Sequence, residues 1–184
     1  ILTPSNAGHT MNFVTPVLTP TFVVTPTINT VSTEIDQISG NSAFQNQKNV
    51  GMLRMKVSTD RNTAIIQKIR VDRVGASGAI DSDITLVKIW RDANGNGSFD
   101  TADSSPDVNG GFPNLLSFGN ESFSSGTVNI TLQDPILVTT VPANYFVSYD
   151  ISQFAAENSL SGVKMGGPSY FTVQIPNLVT FATQ

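Results

Sequence analysis

The stretch from Asp92 to Asp103, DANGNGSFDTAD, sets oxygen-bearing side chains two residues apart around a glycine. With Asp92 as position 1, Asn94 stands at 3, Asn96 at 5, Gly97 at 6, Ser98 at 7, Asp100 at 9 and Asp103 at 12. This is the spacing of a calcium-binding loop, with the sharp-turn glycine in place. A hard cation of the size of Ca²⁺ takes roughly six to eight oxygens at about 2.3–2.6 Å. Side chains two apart in a curled loop point to a common centre. The expected ligands are therefore the side chains of Asp92, Asn94, Asn96, Asp100 and Asp103 and the main-chain carbonyl of Ser98. Three carboxylates so close repel one another, and a cation removes that penalty. Gly95 and Gly97 permit the backbone conformations that the curl demands.

The plainer alternative is an Asn-Gly hairpin turn, in which asparagine and glycine tolerate positive φ. A turn does not require Asp100 and Asp103 in phase as well. Position 12 holds Asp where longer Glu is usual, and no second helix–loop–helix unit accompanies the loop. The expectation is a structural pin of modest affinity, with Kd about 10⁻⁴ to 10⁻³ M as in extracellular modules. Asp107 and Asn109, in SSPDVNGG, are either additional ligands or turn formers.

The loop resembles the DxNxNGxxD-type calcium loops of dockerins, thrombospondin type 3 repeats and many bacterial surface domains. It departs from an EF-hand in being preceded by DITLVKIW, a strand pattern. More widely, VKIWRDANGNGSFDTAD followed by NYFVSYDIS resembles the β-sandwich domains of large bacterial surface and secreted proteins. That similarity spans about residues 48–175 and implies a structural or adhesive role.

Other chemistry is sparsely provided. The single histidine, His9, lies in a Thr/Pro-rich segment, and there is no cysteine. No GxSxG, HExxH or glycine-rich phosphate motif is present. A glycosidase carboxylate pair would have to come from Glu34, Glu121 and Glu157, each in a polar, turn-like context. No catalytic residue is expected. Trp90, Tyr145, Tyr149 and Tyr170 are the aromatics that would stack on sugars. However, Tyr145, Val147, Tyr149 and Ile151 alternate on one face, the pattern of a core stripe, and Trp90 suits the base of the loop.

The elements that must position the loop are strands. KNVGMLRMKVS alternates with Leu53, Met55 and Val57 on one face and Val50 out of phase. TAIIQKIRVDRV, DITLVKIW, GTVNITL, PILVTTV, NYFVSYDI and SYFTVQIPNLVTF follow, bounded by Gly, Pro, Asn or Asp. GTVNITL and PILVTTV, separated by Gln133 and Asp134, are expected to pair as antiparallel neighbours. Helix is expected only after Thr101 and in SQFAAENS. The fold class that results is all-β: an antiparallel β-sandwich, Ig-like or jelly-roll-like, carrying one calcium loop. Leu53, Met55, Val57, Ile69, Val71, Ile89, Val128, Ile130, Leu132, Val138 and Val147 are its expected core.

Residues 1–30 read as a separate extended segment and 31–184 as the sandwich domain. Prolines at 16, 20 and 26 exclude helix in the segment. Yet Phe13, Val14, Val17, Leu18, Phe22, Val23, Val24 and Ile28 are more apolar than a solvated linker warrants. Either it is a linker, or it is a strand that completes a neighbouring copy's sheet.

Charged residues make up only 13% of the 184 residues, and the net charge is −4. That acidity argues against nucleic-acid binding, and no apolar run is long enough for membrane insertion. Low charge, Ser/Thr/Asn richness and the lack of cysteine suggest a secreted or cell-surface chain. Its start at Ile1 leads to the expectation of a removed leader or a longer parent. The sequons at Asn96, Asn120 and Asn129 would matter only in a glycosylating host. The expected function is a calcium-stabilised structural subunit of an extracellular filament or surface assembly, its partners being copies of itself. The alternative is a carbohydrate-binding or adhesion module that takes surface glycans.

Overall fold

Residues 28–40, 42–174 and 178–182 are described by the computed structural model of the chain. Most of the N-terminal segment, with His9, therefore lies outside the described residues. Strands form where β-branched and apolar residues alternate with polar ones between turn-forming residues. They are β1 Thr30–Gln37, β2 Val50–Thr59, β3 Ala64–Ala76, β4 Ile84–Arg91, β5 Thr127–Val138, β6 Ala143–Ile151, β7 Leu160–Lys164, β8 Phe171–Val173 and β9 Leu178–Ala182. One helical turn, α1 Thr101–Ser104, and 3-10 turns at Asp81–Asp83 and Pro168–Tyr170 interrupt them.

The architecture is all-β, two-sheeted and mostly antiparallel. The first sheet runs β4-β6-β2-β1-β9, with β1 and β9 as its parallel pair. The second centres on β3, with β5 along one side. On the other side β7 pairs with Asp72–Ala76 and β8 with Ile66–Ile69, so the two form one interrupted lane. A single hydrophobic cluster draws on both sheets, and every core residue expected from the sequence is buried. Full burial of each Val, Leu, Ile or Met there stabilises the fold by about 1.5–3 kcal/mol.

Val50 is out of phase because β2 carries a bulge. Gly51 faces Ser148 and Leu53 faces Val147, leaving Met52 as the extra residue. Both Met52 and Leu53 are consequently buried.

Four sequence expectations need correction. GTVNITL and PILVTTV are not two paired neighbours but one strand, β5, which pairs with β3. Between them Leu132–Pro135 form a bulge opposite Gln67. Pro135 has no N–H to give to a ladder. The Gln133 and Asp134 amides instead donate to Leu116 O at 2.8 and 3.4 Å. SQFAAENS forms turns and no helix, because Asp83 takes its amides: Ser152 N donates to Asp83 O at 2.8 Å and Ala156 N to Asp83 Oδ1 at 3.2 Å. SYFTVQIPNLVTF divides into β8 in the second sheet and β9 in the first. TVSTEIDQ and LSGVK, not singled out as strands, form β1 and β7.

Leu116 also donates its N–H to Ile89 O at 2.8 Å, and Ser117 Oγ accepts from Ile89 N at 3.1 Å. Residues 115–117 thus bond to β4 of one sheet and β5 of the other. The long loop that begins at Asp92 is anchored at its far end by this segment.

Candidate functional site

The loop leaves β4 directly, so its position is fixed by the strand that precedes it. Asp92 N donates to Asn144 O at 3.2 Å, and Asn144 Nδ2 returns a bond to Asp92 Oδ2 at 3.1 Å. β6 therefore holds the loop's first residue from both sides. β2 holds the middle: Arg54 Nη1 donates to Gly97 O at 3.1 Å while its Nε donates to Asp36 at 2.9 Å. Neither Arg54 nor Asn144 was singled out from the sequence, since their contacts join positions far apart in the chain.

Inside the loop, Asp92 accepts from Gly95 N and Gly97 N, both at 2.8 Å. Gly95 and Gly97 have φ of 71° and 73°, the left-handed region that glycine enters without strain. Asn94 Oδ1 accepts from Asn96 N at 3.1 Å, and Asn96 Oδ1 from Ser98 N at 2.7 Å. The chain curls by repeating this bond two residues on. Asn94 Nδ2 and Asn96 Nδ2 then both donate to Asp100 Oδ2, at 3.1 and 2.8 Å. Positions 3, 5 and 9 of the loop thus meet through hydrogen bonds.

Asp103 behaves differently. It is fully buried and accepts from Ala93 N at 2.7 Å and Asp100 N at 3.0 Å, stapling the end of the loop to its beginning. Asp100 caps α1 through Ala102 N at 2.7 Å. Its carboxyl is held below the usual range by the Asn96 and Asn94 amides and this cap.

Among the described residues, no three Asp, Glu, His or Cys side chains group in a way that holds a metal ion. A cation here would depend on amide and main-chain oxygens as much as on carboxylates. The donor set suits that chemistry. Asn94 Oδ1 and Asn96 Oδ1 each accept one main-chain N–H and keep a second lone pair that a cation could take.

The loop also covers the outer face of the first sheet. Phe99 folds back with its ring centroid 6.1 Å from that of Trp90 and 5.4 Å from that of Phe146, while Phe112 meets Trp90 edge-on at 5.8 Å. Trp90 Nε1 donates to Ser148 Oγ at 2.7 Å. This second apolar layer buries Phe146 and Ser148 on the outer face of β6, where a one-faced strand would alternate.

The remaining candidates fall elsewhere. Trp90, Tyr145 and Tyr149 are buried and Tyr170 is half-buried, its hydroxyl bonded to Asp72, so these four do not form an exposed row. Asp107 accepts from Asn109 N at 2.8 Å and Gly111 N at 2.9 Å, the bonds of a turn former. Glu34 meets Lys56 at 3.3 Å. Glu121 accepts from Phe118 N at 2.8 Å and Asn120 N at 3.0 Å. Glu157 lines a cleft of about 780 Å³ between the sheet ends, in which Ser161 Oγ is buried with no partner. Asn96, Asn120 and Asn129 are exposed. Among the described residues, no helix is long and apolar enough to cross a membrane.

Compared with models of known protein families and with curated proteins, the chain matches none.

Proposed function

We propose that the chain is a calcium-stabilised structural unit of an extracellular filament or cell-surface assembly. Its two sheets then serve as the layers of a β-sandwich of the Ig-like or jelly-roll-like kind. The supporting observation is the meeting of Asn94, Asn96 and Asp100 in a loop that also packs Phe99 onto the sheet. Ca²⁺ would be held by Asp92, Asn94, Asn96, Asp100 and the Ser98 carbonyl, with Asp103 stapling the loop and lending its remaining lone pairs. Because the same loop covers Trp90 and Phe146, a cation that orders it stabilises the sheet beneath. That is the work of a pin rather than a sensor.

The test is a thermal melt in millimolar calcium and again in excess chelator. A ligand that binds only the native state must raise Tm. An identical Tm in the two conditions would remove calcium from the proposal.

A further inference from the structure

Lys88 of β4, Asp150 of β6 and Asn49, just before β2, meet across three successive strands of the first sheet. Lys88 Nζ lies 2.9 Å from Asn49 Oδ1 and 2.9 Å from each Asp150 oxygen. The Asn49 main-chain N–H donates to Asp150 Oδ1 at 3.0 Å, so the carboxylate touches both neighbours. The Lys88 side chain is 13% exposed and that of Asp150 is 4%. Trp90 walls one side, its ring centroid 5.8 Å from Nζ.

An ion pair accounts for the lysine and the aspartate. It does not call for an amide carbon held one bond beyond the amine's hydrogen-bond contact. A primary amine, a carboxamide and a carboxylate able to move protons are the parts of an amide exchange, here with the amine and carboxylate largely out of water, Asn49 half-buried and the exposed Lys48 reaching Asp150 at 3.7 Å. We propose that Lys88 Nζ and the Asn49 side chain join in an intramolecular isopeptide bond, with Asp150 carrying the proton.

The step balances without a co-reactant. The ammonium passes one proton to Asp150, which replaces two buried charges by a neutral amine and a neutral acid. The Nζ lone pair attacks Asn49 Cγ while the acid supports the developing charge on Oδ1. The tetrahedral intermediate then expels Nδ2. Asp150 protonates it and takes a proton from Nζ in exchange. The five hydrogens first on Nζ and Nδ2 end as one on the new amide, one on Asp150 and three in ammonia. Nothing is oxidised or reduced. Amine–amide exchange is slow in water, and fixed placement of the partners is what accelerates it. The bond ties the entry of β2 to β4 across β6, so these strands cannot shear apart under load. Neither calcium nor assembly is needed for it.

The test is the intact mass of the denatured full chain, followed by tryptic mapping. The expected mass is below the sequence mass by one ammonia, with a branched peptide joining residues 49–54 to 74–91 through an uncleaved Lys88. Lys88→Arg keeps a cation beside Asp150 and is expected at full sequence mass. Asn49→Ala is expected to show no loss either. Full sequence mass for the unsubstituted chain overturns the proposal. So does loss of one water, which assigns the link to a carboxylate. Loss of ammonia that maps to Asn94, Asn96 or Asn109, each before a glycine, is succinimide formation and overturns it equally.

Discussion

A β-carbon at Gly51 would stand 3.0 Å from Phe99 Cδ1, so the phenyl ring of the loop rests on bare backbone of β2. The glycine is there for closeness, at the bulge that also places Met52 and Leu53 in the core. Gly51→Ala is expected to cost about 1–3 kcal/mol by overpacking. In a Phe99→Ala background the same substitution should cost much less, because the colliding ring is gone. Urea denaturation of the four proteins measures both costs. Equal costs would mean that Phe99 is not seated on Gly51.

The proposed calcium binding can be separated from mere loop integrity through Arg54. Its guanidinium bonds the Gly97 carbonyl and Asp36 but none of the proposed ligand side chains. Arg54→Ala should lower stability by about 1 kcal/mol, discounted for partial exposure, while leaving the calcium-induced rise in Tm. Asp92→Ala should abolish most of that rise, which corresponds to about 1.4 kcal/mol at a tenfold excess over Kd. Differential scanning calorimetry with and without chelator reads both. A rise that survives in Asp92→Ala would place the cation elsewhere.

Legibility in the sequence followed the range of the forces involved. The inward residues of β2 to β5 are readable because alternation is local, whereas β6 is buried on both faces; the expected set from Leu53 to Val147 is buried. The meeting of Asn94, Asn96 and Asp100 was also readable, since one short loop contains it. Gln133 and Asp134 looked like a turn because their amides find Leu116, which no local pattern reveals. SQFAAENS looked helical because Asp83, far away in sequence, claims its amides. β1 was missed for a related reason. Its inward Thr33 is polar, yet it is fully buried, bonding the Thr180 carbonyl of β9 at 3.2 Å. Lys88, Asn49 and Asp150 carried no signal, since only strand order brings them together.

Acid should weaken the fold through particular carboxyls. The Gly126 N–H and the Arg73 guanidinium hold Asp81 below its ordinary range. Burial pushes Asp72 up, but Arg70, Tyr170 and Thr127 together outweigh it and lower it. The Asn96 and Asn94 amides lower Asp100. For each, the unfolded chain binds the proton more readily than the folded one. The stability they confer is therefore full above the unfolded carboxyl range of about pH 4, and it is lost as pH falls through the lower folded values. Asp81→Asn should flatten the decline of Tm between about pH 4 and pH 2. Superimposable profiles for the two proteins would show that Asp81 is not responsible.

The proposed assembly would turn on the edges of the sheets. Among the described residues the first sheet ends at β4 and β9 and the second at β5 and the β7–β8 lane, and β9, β5 and β7 each carry an exposed leucine: Leu178, Leu137 and Leu160. Edge strands present unpaired N–H and C=O groups that another strand can take up. The segment Asn12–Ile28 is rich in apolar residues, but its prolines allow only interrupted pairing. Paired with its own domain, it would leave the protein a monomer. Paired with the next copy, it would make a head-to-tail contact that does not close, which builds a filament. Burial of its side chains would favour association by roughly 25 cal/mol for each Å² of apolar surface removed from water. Deleting residues 1–28 should therefore convert a polydisperse, filament-forming chain into a monomer, read by light scattering and electron microscopy in calcium. A full chain that is already a monodisperse monomer under those conditions would end the filament reading. It would leave a surface adhesion or glycan-binding module in its place.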